Sequence, residues 1–191
     1  MKVVKVLLAS YNGERYIQEQ IDTILNQKNV IVDLVVRDDG SKDGTVSIIK
    51  NNYPKVKISQ NSPGTGSAAK NFLKMVSNLD FEESFEYVAF ADQDDIWLED
   101  KLAVTLAEAE KYDSQKPLLV YTDLKIVDRD LNVLHESMIK TQSAHANTEL
   151  VQELTENTVT GGTAMINHTL AELWTSTDDL LMHDWYLALL A

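Results

Sequence analysis

The sequence lacks cysteine altogether, and this absence removes several classes of site. Without thiols the chain cannot form a disulfide framework, a zinc–thiolate site or a thiol-based catalytic centre. The composition fits a reducing compartment. Proline and glycine are also scarce, with 3 and 7 residues, and no Pro/Gly/Ser-rich linker divides the chain. We therefore predict a single domain over residues 1–191, since domains commonly contain roughly 100–200 residues.

Long apolar runs are missing as well. No segment approaches the ~20 consecutive apolar residues that a membrane-spanning helix needs, so we predict no transmembrane segment. The N-terminal run is too short for a signal peptide, which would need a longer apolar core and a small-residue cleavage site. We predict instead that residues 3–9 form a buried strand.

Basic residues are outnumbered by acidic ones. The chain has 17 Lys and Arg against 30 Asp and Glu, which gives a net charge of −13 at pH 7. This balance argues against nucleic acid as a partner, because phosphate backbones are bound by an excess of Lys and Arg. The apolar fraction of 44% and the charged fraction of 25% are those of a globular protein.

Short apolar runs alternate with amphipathic segments along the chain. The pattern predicts strands at 3–9, 30–36, 56–59, 87–91, 118–121 and 163–166, a hairpin at 125–135, and helices at 14–27, 67–77, 100–111 and through most of 170–191. Ser41 is placed to cap a further helix that carries Val46, Ile48 and Ile49. Such alternation predicts an α/β fold with a Rossmann-like, mostly parallel central sheet and helices on both faces.

Polar clusters follow three of the predicted strands, at the edge of the sheet where α/β proteins bind ligands. The cluster Asp92-Gln93-Asp94-Asp95 places three carboxylates in four positions after an apolar strand. Their mutual repulsion would be offset by a divalent cation such as Mn²⁺ or Mg²⁺, which prefers oxygen ligands. Taken alone, the same residues also suit a solvated loop that caps the following helix.

The other two clusters carry less information when each is taken alone. Asp38-Asp39-Gly40-Ser41 offers carboxylates that could accept hydrogen bonds from a ribose or a base, or could simply form a tight turn. Ser10-Tyr11-Asn12-Gly13 could line a nucleotide pocket or only connect a strand to a helix. The loop 63–67 resembles a phosphate-binding loop loosely, because it lacks the P-loop spacing and its lysine.

Two later segments are further candidates. Asp184 stands beside aromatic residues in His183-Asp184-Trp185-Tyr186 and could act as a general base towards a sugar hydroxyl, or could face water on an amphipathic helix. Gly161 and Gly162 permit a close approach of main chain to a ligand, or a simple turn.

In combination, these segments resemble family 2 glycosyltransferases. The resemblance lies in residues 8–16, 37–45 and 91–97, with Thr160-Gly161-Gly162-Thr163 and His183-Asp184-Trp185 at the positions of later motifs, and it covers nearly the whole chain. Within the family, the chain is most similar to bacterial rhamnosyltransferase-type enzymes of surface polysaccharide synthesis. The resemblance implies a GT-A fold and inverting, metal-dependent transfer from a nucleotide-diphosphate sugar, with a UDP or dTDP sugar as donor and a saccharide or lipid-linked acceptor.

The resemblance also implies roles for individual residues. The nucleotide side would comprise Ser10, Tyr11, Asn12, Glu14, Asp38, Asp39, Asn71 and Asp92. Asp94, together with Asp92, would bind Mn²⁺ or Mg²⁺, and Asp184 would be the catalytic base. The sugar or acceptor side would comprise Asp95, Trp97, Gly161, Gly162 and Trp185.

The sequence departs from the family pattern at its C-terminal end, and this departure leaves two predictions for the function open. Family chains continue past the His-Asp-Trp region, so the resemblance predicts a catalytic core that lacks the family's C-terminal segment, or a non-catalytic nucleotide-sugar-binding module. It implies a cytoplasmic location, at the inner membrane face if the acceptor is lipid-linked. A sugar-nucleotide pyrophosphorylase would need a Gly-rich basic loop after the first strand, and an aspartyl phosphatase would need a D-x-D motif there. Ser10–Arg15 provides neither.

Overall fold

A computed structural model describes residues 1–81, 85–174, 180 and 182–191 of the chain. The strands are β1 (Val3–Ser10), β2 (Ile31–Asp38), β3 (Lys57–Gln60), β4 (Tyr87–Ala91), β5 (Leu119–Tyr121), β6 (Ile126–Val127), β7 (Val133–His135) and β8 (Ala164–Asn167). The helices are α1 (Ile17–Leu25), α2 (Thr45–Asn52), α3 (Ala68–Val76), α4 (Lys101–Ala109), α5 (Ile139–Gln142), α6 (Leu150–Glu153), α7 (His168–Leu173) and α8 (His183–Leu190). Gly161–Thr163 form a turn of 3₁₀ helix.

Six strands form one sheet in the order β3-β2-β1-β4-β8-β5. The four strands β3, β2, β1 and β4 are parallel, whereas β8 runs antiparallel to both β4 and β5. The mostly parallel sheet predicted from the sequence is therefore confirmed, with one reversed strand. The strands β6 and β7 form the predicted hairpin as a separate two-stranded sheet.

The two faces of the sheet carry separate hydrophobic cores, because side chains alternate along β1. Val4, Val6 and Leu8 face the core formed with α1, α2 and α4. Leu7 and Ala9 face the core formed with α3, α7 and α8. This arrangement explains why the first strand is apolar at nearly every position apart from Lys5 and Ser10: both of its faces are covered.

Several local predictions need correction. Helix α2 begins at Thr45 after Gly44 and has no side-chain cap, whereas Ser41 lies upstream in the preceding loop. Helix α1 starts at Ile17 rather than at residue 14, since residues 12–14 are held by hydrogen bonds to the neighbouring loop. The stretch 170–191, predicted to be mostly helical, contains the end of α7, which stops at Leu173, and α8, which begins at His183. Residues 175–179 and 181 lie outside the described residues, and α7 and α8 stand on either side.

The register of the parallel strands brings their carboxyl ends together. Ser10 at the end of β1 pairs with Asp38 at the end of β2, and Asp38 pairs with Gln60 at the end of β3. On the other side Leu8 pairs with Ala91, the last residue of β4. The three polar clusters therefore leave the sheet side by side. None of the described helices is long and apolar enough to cross a membrane.

Candidate active site

The loops after β1 and β2 are joined by hydrogen bonds. The Asn12 N–H donates to Ser41 Oγ over 2.8 Å, and the Lys42 N–H donates to Asn12 Oδ1 over 2.9 Å. The Gly13 N–H donates to Thr45 Oγ1 over 2.8 Å. Asn12 has a positive φ of 50°, which asparagine adopts more readily than most residues. The two loops consequently form one continuous surface.

Glu14 strengthens the same connection. Its carboxylate accepts a hydrogen bond of 2.5 Å from the Gly44 N–H, and its own N–H donates to Asp43 Oδ2 over 3.1 Å. Because Gly44 directly precedes α2, the carboxylate lies where the N-terminus of a helix favours negative charge. The described hydrogen bonds of Glu14 therefore join the loop after β1 to the loop before α2.

Asp38 lies beneath these loops and is fully enclosed. Its carboxylate accepts hydrogen bonds from the hydroxyls of Ser10 (3.0 Å) and Ser41 (2.5 Å), from the Gly40 and Ser41 N–H groups, and from Gln60 Nε2. A direct contact with a nucleotide, as the sequence suggested, does not agree with this burial. The side chain shapes the turn that presents Asp39.

Asp39 is bound by the loop that follows β3. The Thr65 N–H (2.7 Å), the Gly66 N–H (2.8 Å) and Asn61 Nδ2 (2.7 Å) all donate to its carboxylate. Burial alone would raise the pKa of Asp39, but these hydrogen bonds outweigh it and lower the pKa below 3.8. Gly64 is needed because an added Cβ would collide with the Asp39 carbonyl oxygen. The N–H groups of this loop therefore face a carboxylate, not an open site for phosphate.

Asn71, predicted on the nucleotide side, lies buried in the same network. Its Nδ2 donates to the Arg37 carbonyl over 2.9 Å, and its Oδ1 accepts from Asn61 Nδ2 over 3.0 Å. Arg37 Nε donates to Asn61 Oδ1 over 2.8 Å. Asn71 thus fixes Asn61, which in turn orients the Asp39 carboxylate.

The side chain of Tyr11 is open to solvent. It is 53% exposed, whereas its main chain is bound by Gln93 from the loop after β4. The ring is consequently available to a ligand, and its position is set by the carboxylate-rich loop.

That loop brings several negative charges together at the end of β4. Burial, followed by the charges of Asp95, Asp94 and Asp184, raises the pKa of Asp92 from 3.8 to about 7, and a hydrogen bond from the Gly162 N–H opposes the shift. Asp94 is exposed. The sequence predicted this crowding for residues 92–95, but the approach of Asp184 from a distant part of the chain is visible only in the structure.

The Gly161–Gly162 turn lies between these carboxylates. A Cβ added at Gly162 would lie 2.6 Å from Asp95 Oδ2 and 3.0 Å from Asp92 Oδ2. The Gly161 N–H donates to Asp184 Oδ2 over 3.0 Å. Only glycine leaves room for carboxylates this close to the main chain, so the turn connects the two acidic groups.

Asp184 lies in the first turn of α8 and is nearly buried. Its Oδ1 accepts a hydrogen bond of 2.7 Å from the Trp185 N–H, and the Gly161 N–H binds its other oxygen. The half-buried Trp185 is itself fixed by its Nε1–H, which donates to the Glu153 carbonyl over 2.7 Å. The carboxylate is therefore held in one orientation, towards the turn and Asp92.

His183 packs beneath the turn as an aromatic residue. Its ring stacks on Phe72 with centroids 4.4 Å apart and lies parallel to Trp174 at 6.2 Å. Burial lowers the pKa of His183 from 6.5 to about 4, with Asp184 opposing the shift. Its Nε2 has no hydrogen-bond partner in the described part of the chain, and a Cβ at Gly161 would lie 2.7 Å from this atom. The neutral ring supports the glycine turn.

Trp97 does not line the acceptor side, where the sequence placed it. It is 5% exposed and belongs to the core that contains Leu102. The ammonium group of Lys101 lies 3.7 Å above its ring centroid. The correction has a simple cause: an aromatic residue just after a strand-end loop can turn inwards as readily as outwards.

The carboxylate cluster fits a divalent cation. Burial, and after it the like charges of Asp95, Asp94 and Asp184, raises the pKa of Asp92, and a bound cation would offset these effects. Within the described ranges, no group of three or more His, Cys, Asp or Glu side chains converges as a ready metal cluster. Asp92 and Asp94 would therefore supply one or two ligands, as in Mg²⁺ sites that substrate phosphates and waters complete.

Three residues important to this geometry were not among the candidates from the sequence. No role was predicted from the sequence for Gln93, Asn61 or Lys101. A lysine at the start of a helix is locally unfavourable, and this was the one available signal.

Comparison with known proteins identifies the family. The family model described as "Glycosyl transferase family 2" matches residues 5–173. The chain belongs to this family. The curated relative "dTDP-rhamnosyl transferase RfbG" of Shigella flexneri is 38% identical over 99 residues, which are 50% of this chain and 34% of that protein.

Solved structures support the fold. TarS 1–349 of S. aureus in complex with UDP superimposes with a TM-score of 0.69 at 22% identity, covering 98% of this chain and 54% of that one. The mannosyltransferase PcManGT from Pyrobaculum calidifontis, in complex with GDP-Man and Mn²⁺, gives 0.64 at 21% identity, covering 96% and 50%. The predicted GT-A fold is confirmed. The chain spans about half or less of the length of these proteins.

Proposed function

We propose that the protein is an inverting glycosyltransferase that moves a sugar from a nucleotide-diphosphate sugar to a hydroxyl of a saccharide acceptor. One observation carries the proposal: the Gly162 N–H binds Asp92, the neighbouring Gly161 N–H binds Asp184, and the two carboxylates are close enough for the charge of Asp184 to act on Asp92. A carboxylate suited to a metal and a carboxylate suited to a base are thus held together, as a displacement at an anomeric carbon requires.

The donor's nucleotide would lie over the surface formed by the loops after β1 and β2. The exposed ring of Tyr11 would contact the base, and the main chain of Ser10 and Asn12 would border it. Asp39 lies at the end of this surface with its charge maintained by the loop after β3. UDP and dTDP donors are both consistent with these groups.

Asp184 would take the proton from the acceptor hydroxyl while that oxygen attacks the anomeric carbon. The bond between this carbon and the diphosphate oxygen breaks in the same displacement, so the configuration inverts once and no protein nucleophile is required. The N–H groups of Gly161 and Trp185 orient the Asp184 carboxylate throughout.

Asp94 and Asp92 would bind Mn²⁺ or Mg²⁺. When bound, the cation would supply positive charge next to the departing diphosphate. This supply matters because the described loops around the site offer carboxylates rather than a cluster of basic side chains, and the net charge is −13.

The subgroup is proposed from similarity. The rhamnosyltransferase relative favours a rhamnosyl donor and a role in surface polysaccharide synthesis. Such a role would place the protein in the cytoplasm, at the inner membrane face where a lipid-linked acceptor would lie.

Replacing Asp184 tests the proposal. Because the chain spans only part of its relatives, the test uses the natural full-length protein, a panel of UDP and dTDP sugars including dTDP-rhamnose, Mn²⁺ and saccharide acceptors. Asp184→Asn keeps the shape and an acceptor oxygen, so nucleotide binding should persist while transfer falls by roughly 10²–10⁴-fold. The exposed Asp130→Asn is the matched control and should leave transfer unchanged.

The product's anomeric configuration, read by NMR, tests inversion separately. Undiminished transfer by Asp184→Asn would refute its role as base. Nucleotide-sugar binding without transfer by the full-length wild type would favour the alternative of a non-catalytic binding module.

A further inference from the structure

Lys101 occupies a position that is unfavourable for a cation. It is the first residue of α4, where the helix dipole presents positive charge. Burial lowers the pKa of its amine from 10.5 to about 8, and only the charge of Asp95 opposes this. A lysine retained against both effects must be stabilised by specific contacts.

Two contacts of this kind are present. The ammonium group lies 3.7 Å from the centroid of the Trp97 ring, and tryptophan is the best aromatic partner for a cation. Lys101 Nζ also donates a hydrogen bond of 3.2 Å to the Gly162 carbonyl. The buried Trp97 therefore supports the amine from the core, and the amine reaches the glycine turn.

The turn receives contacts from three directions. Lys101 binds the Gly162 carbonyl, the Gly162 N–H binds Asp92, and the Gly161 N–H binds Asp184. The glycines contribute no side chains of their own, so these polar contacts act on the main chain directly, in addition to the His183 ring that packs against Gly161. Of the three groups, Lys101 is the one that the proposed reaction does not use.

We propose that Lys101 is a positioning residue that holds the Gly161–Gly162 turn between Asp92 and Asp184 and so fixes the relative position of these two carboxylates. The effect on the turn is independent of any activity. Its consequence for transfer rests on the proposed function.

Amide hydrogen exchange by NMR tests the effect on the turn. Lys101→Met keeps the aliphatic chain but removes the charge and the donor. We expect the Gly161 and Gly162 amides to exchange at least about tenfold faster, because the turn loses a hydrogen bond from a charged donor. Lys101→Arg, which keeps charge and donor, should restore most of the protection. Lys111→Met, which removes an exposed pair with Glu108, is the matched control and should change neither amide.

The outcomes separate a positioning role from a general packing role. Unchanged exchange at both glycines in Lys101→Met would overturn the proposal, and so would accelerated exchange throughout α4 and the sheet. If the Met variant does not fold, Lys101→Gln replaces it. Failure of both to fold would also overturn the proposal, because the effect would not be confined to the turn.

Steady-state kinetics of the full-length protein tests the consequence for transfer. Lys101→Met should lower kcat at least tenfold with a donor KM within about threefold of wild type, and Lys101→Arg should recover part of kcat. A change in donor KM alone would contradict the positioning role. If the wild type transfers no sugar, the proposed function fails, whereas the exchange result for the turn still stands by itself.

Discussion

The side chain of Gln93 pairs with the main chain of Tyr11 through both of its amide atoms. The Tyr11 N–H donates to Gln93 Oε1 over 2.8 Å, and Gln93 Nε2 donates to the Tyr11 carbonyl over 3.1 Å. Gly13 lies so close that an added Cβ would collide with the same amide. Gln93 thus joins the proposed nucleotide surface to Asp92 and Asp94, the proposed metal ligands on either side of it.

Replacing this amide should weaken nucleotide binding. Gln93→Leu removes both hydrogen bonds without adding charge, and the Tyr11 loop would lose its fixed position. We expect the affinity for UDP or dTDP with Mn²⁺ to fall roughly tenfold, since two exposed hydrogen bonds contribute about 1–2 kcal/mol together. Isothermal titration calorimetry measures this.

The control for Gln93→Leu is Gln18→Leu on the exposed side of α1, where the side chain accepts a hydrogen bond from Asn52 Nδ2. It should leave nucleotide affinity unchanged. Equal affinities for wild type and Gln93→Leu would show that the pairing does not position the loop for binding.

A methyl group at Gly162 should disturb the carboxylate cluster. The added Cβ of Gly162→Ala would lie 2.6 Å from Asp95 Oδ2, so either the turn or the carboxylates must move. We expect Mn²⁺ affinity, measured alone by calorimetry, to fall at least about fivefold, with a loss of stability of about 1–3 kcal/mol.

Gly66→Ala provides the contrast. Gly66 has a positive φ of 71° and open space around its Cβ position, so alanine there costs stability through backbone strain without approaching the cluster. Mn²⁺ affinity should be retained. A similar loss of Mn²⁺ affinity in both variants would show that general destabilisation, not the contact at Gly162, is responsible.

The sequence was sufficient to predict the central parallel strands, because β1 and β4 are largely apolar and buried on both faces. The run at β4 is an example, predicted at 87–91 and observed at Tyr87–Ala91. The reversed direction of β8 was not predicted. The polar clusters after β1, β2 and β4 could be placed at one edge of the sheet because parallel strands end at the same edge. The ends of helices were harder, since hydrogen bonds between loops, such as that from Asn12 to Ser41, replace the expected cap.

The direction in which a side chain points was not predictable. Asp38 and Asp39 are adjacent and chemically identical, yet one is enclosed under the turn and the other binds the loop after β3. The side chains of Trp97 and Lys101 are likewise oriented by their contacts. Lys101 lies over the Trp97 ring and donates a hydrogen bond to the Gly162 carbonyl. These orientations depend in large part on distant partners, such as Ser10 for Asp38, Thr65 for Asp39 and Gly162 for Lys101. Local sequence patterns do not reveal such partners.

The low pKa of Asp39 predicts a loss of stability in acid. A carboxylate whose pKa is lowered by folding stabilises the protein above its ordinary value near 3.8, and this contribution disappears as the pH falls through the lowered pKa. Asp39→Asn should therefore cost about 2 kcal/mol at pH 7 and clearly less at pH 3. Urea denaturation at the two pH values measures the difference, with Asp130→Asn as control. A cost that is equal at both pH values would contradict the assignment.

The raised pKa of Asp92 predicts the opposite pH dependence for the metal-free protein. Folding favours the protonated form, so the contribution of this group to stability is complete below its ordinary value of 3.8 and is lost as the pH rises towards about 7. In Asp92→Asn the side chain is an amide that does not ionise, so the variant does not lose stability in this way as the pH rises. The variant should therefore be more stable relative to wild type at pH 8 than at pH 5, by on the order of 1–3 kcal/mol, or on the order of 5 °C in Tm.

At pH 8, Mn²⁺ should raise the stability of the wild type relative to Asp92→Asn. The cation would stabilise the wild type by offsetting the repulsion that Asp95, Asp94 and Asp184 impose on Asp92, whereas Asp92→Asn lacks the charge that binds it. At pH 5 protonation of Asp92 competes with the metal, so the Mn²⁺-induced rise in Tm should be smaller than at pH 8. Thermal unfolding with EDTA and with Mn²⁺ at both pH values measures all four states. A Tm difference between variant and wild type that is the same at pH 5 and pH 8 in EDTA would mean that folding does not raise the pKa of Asp92.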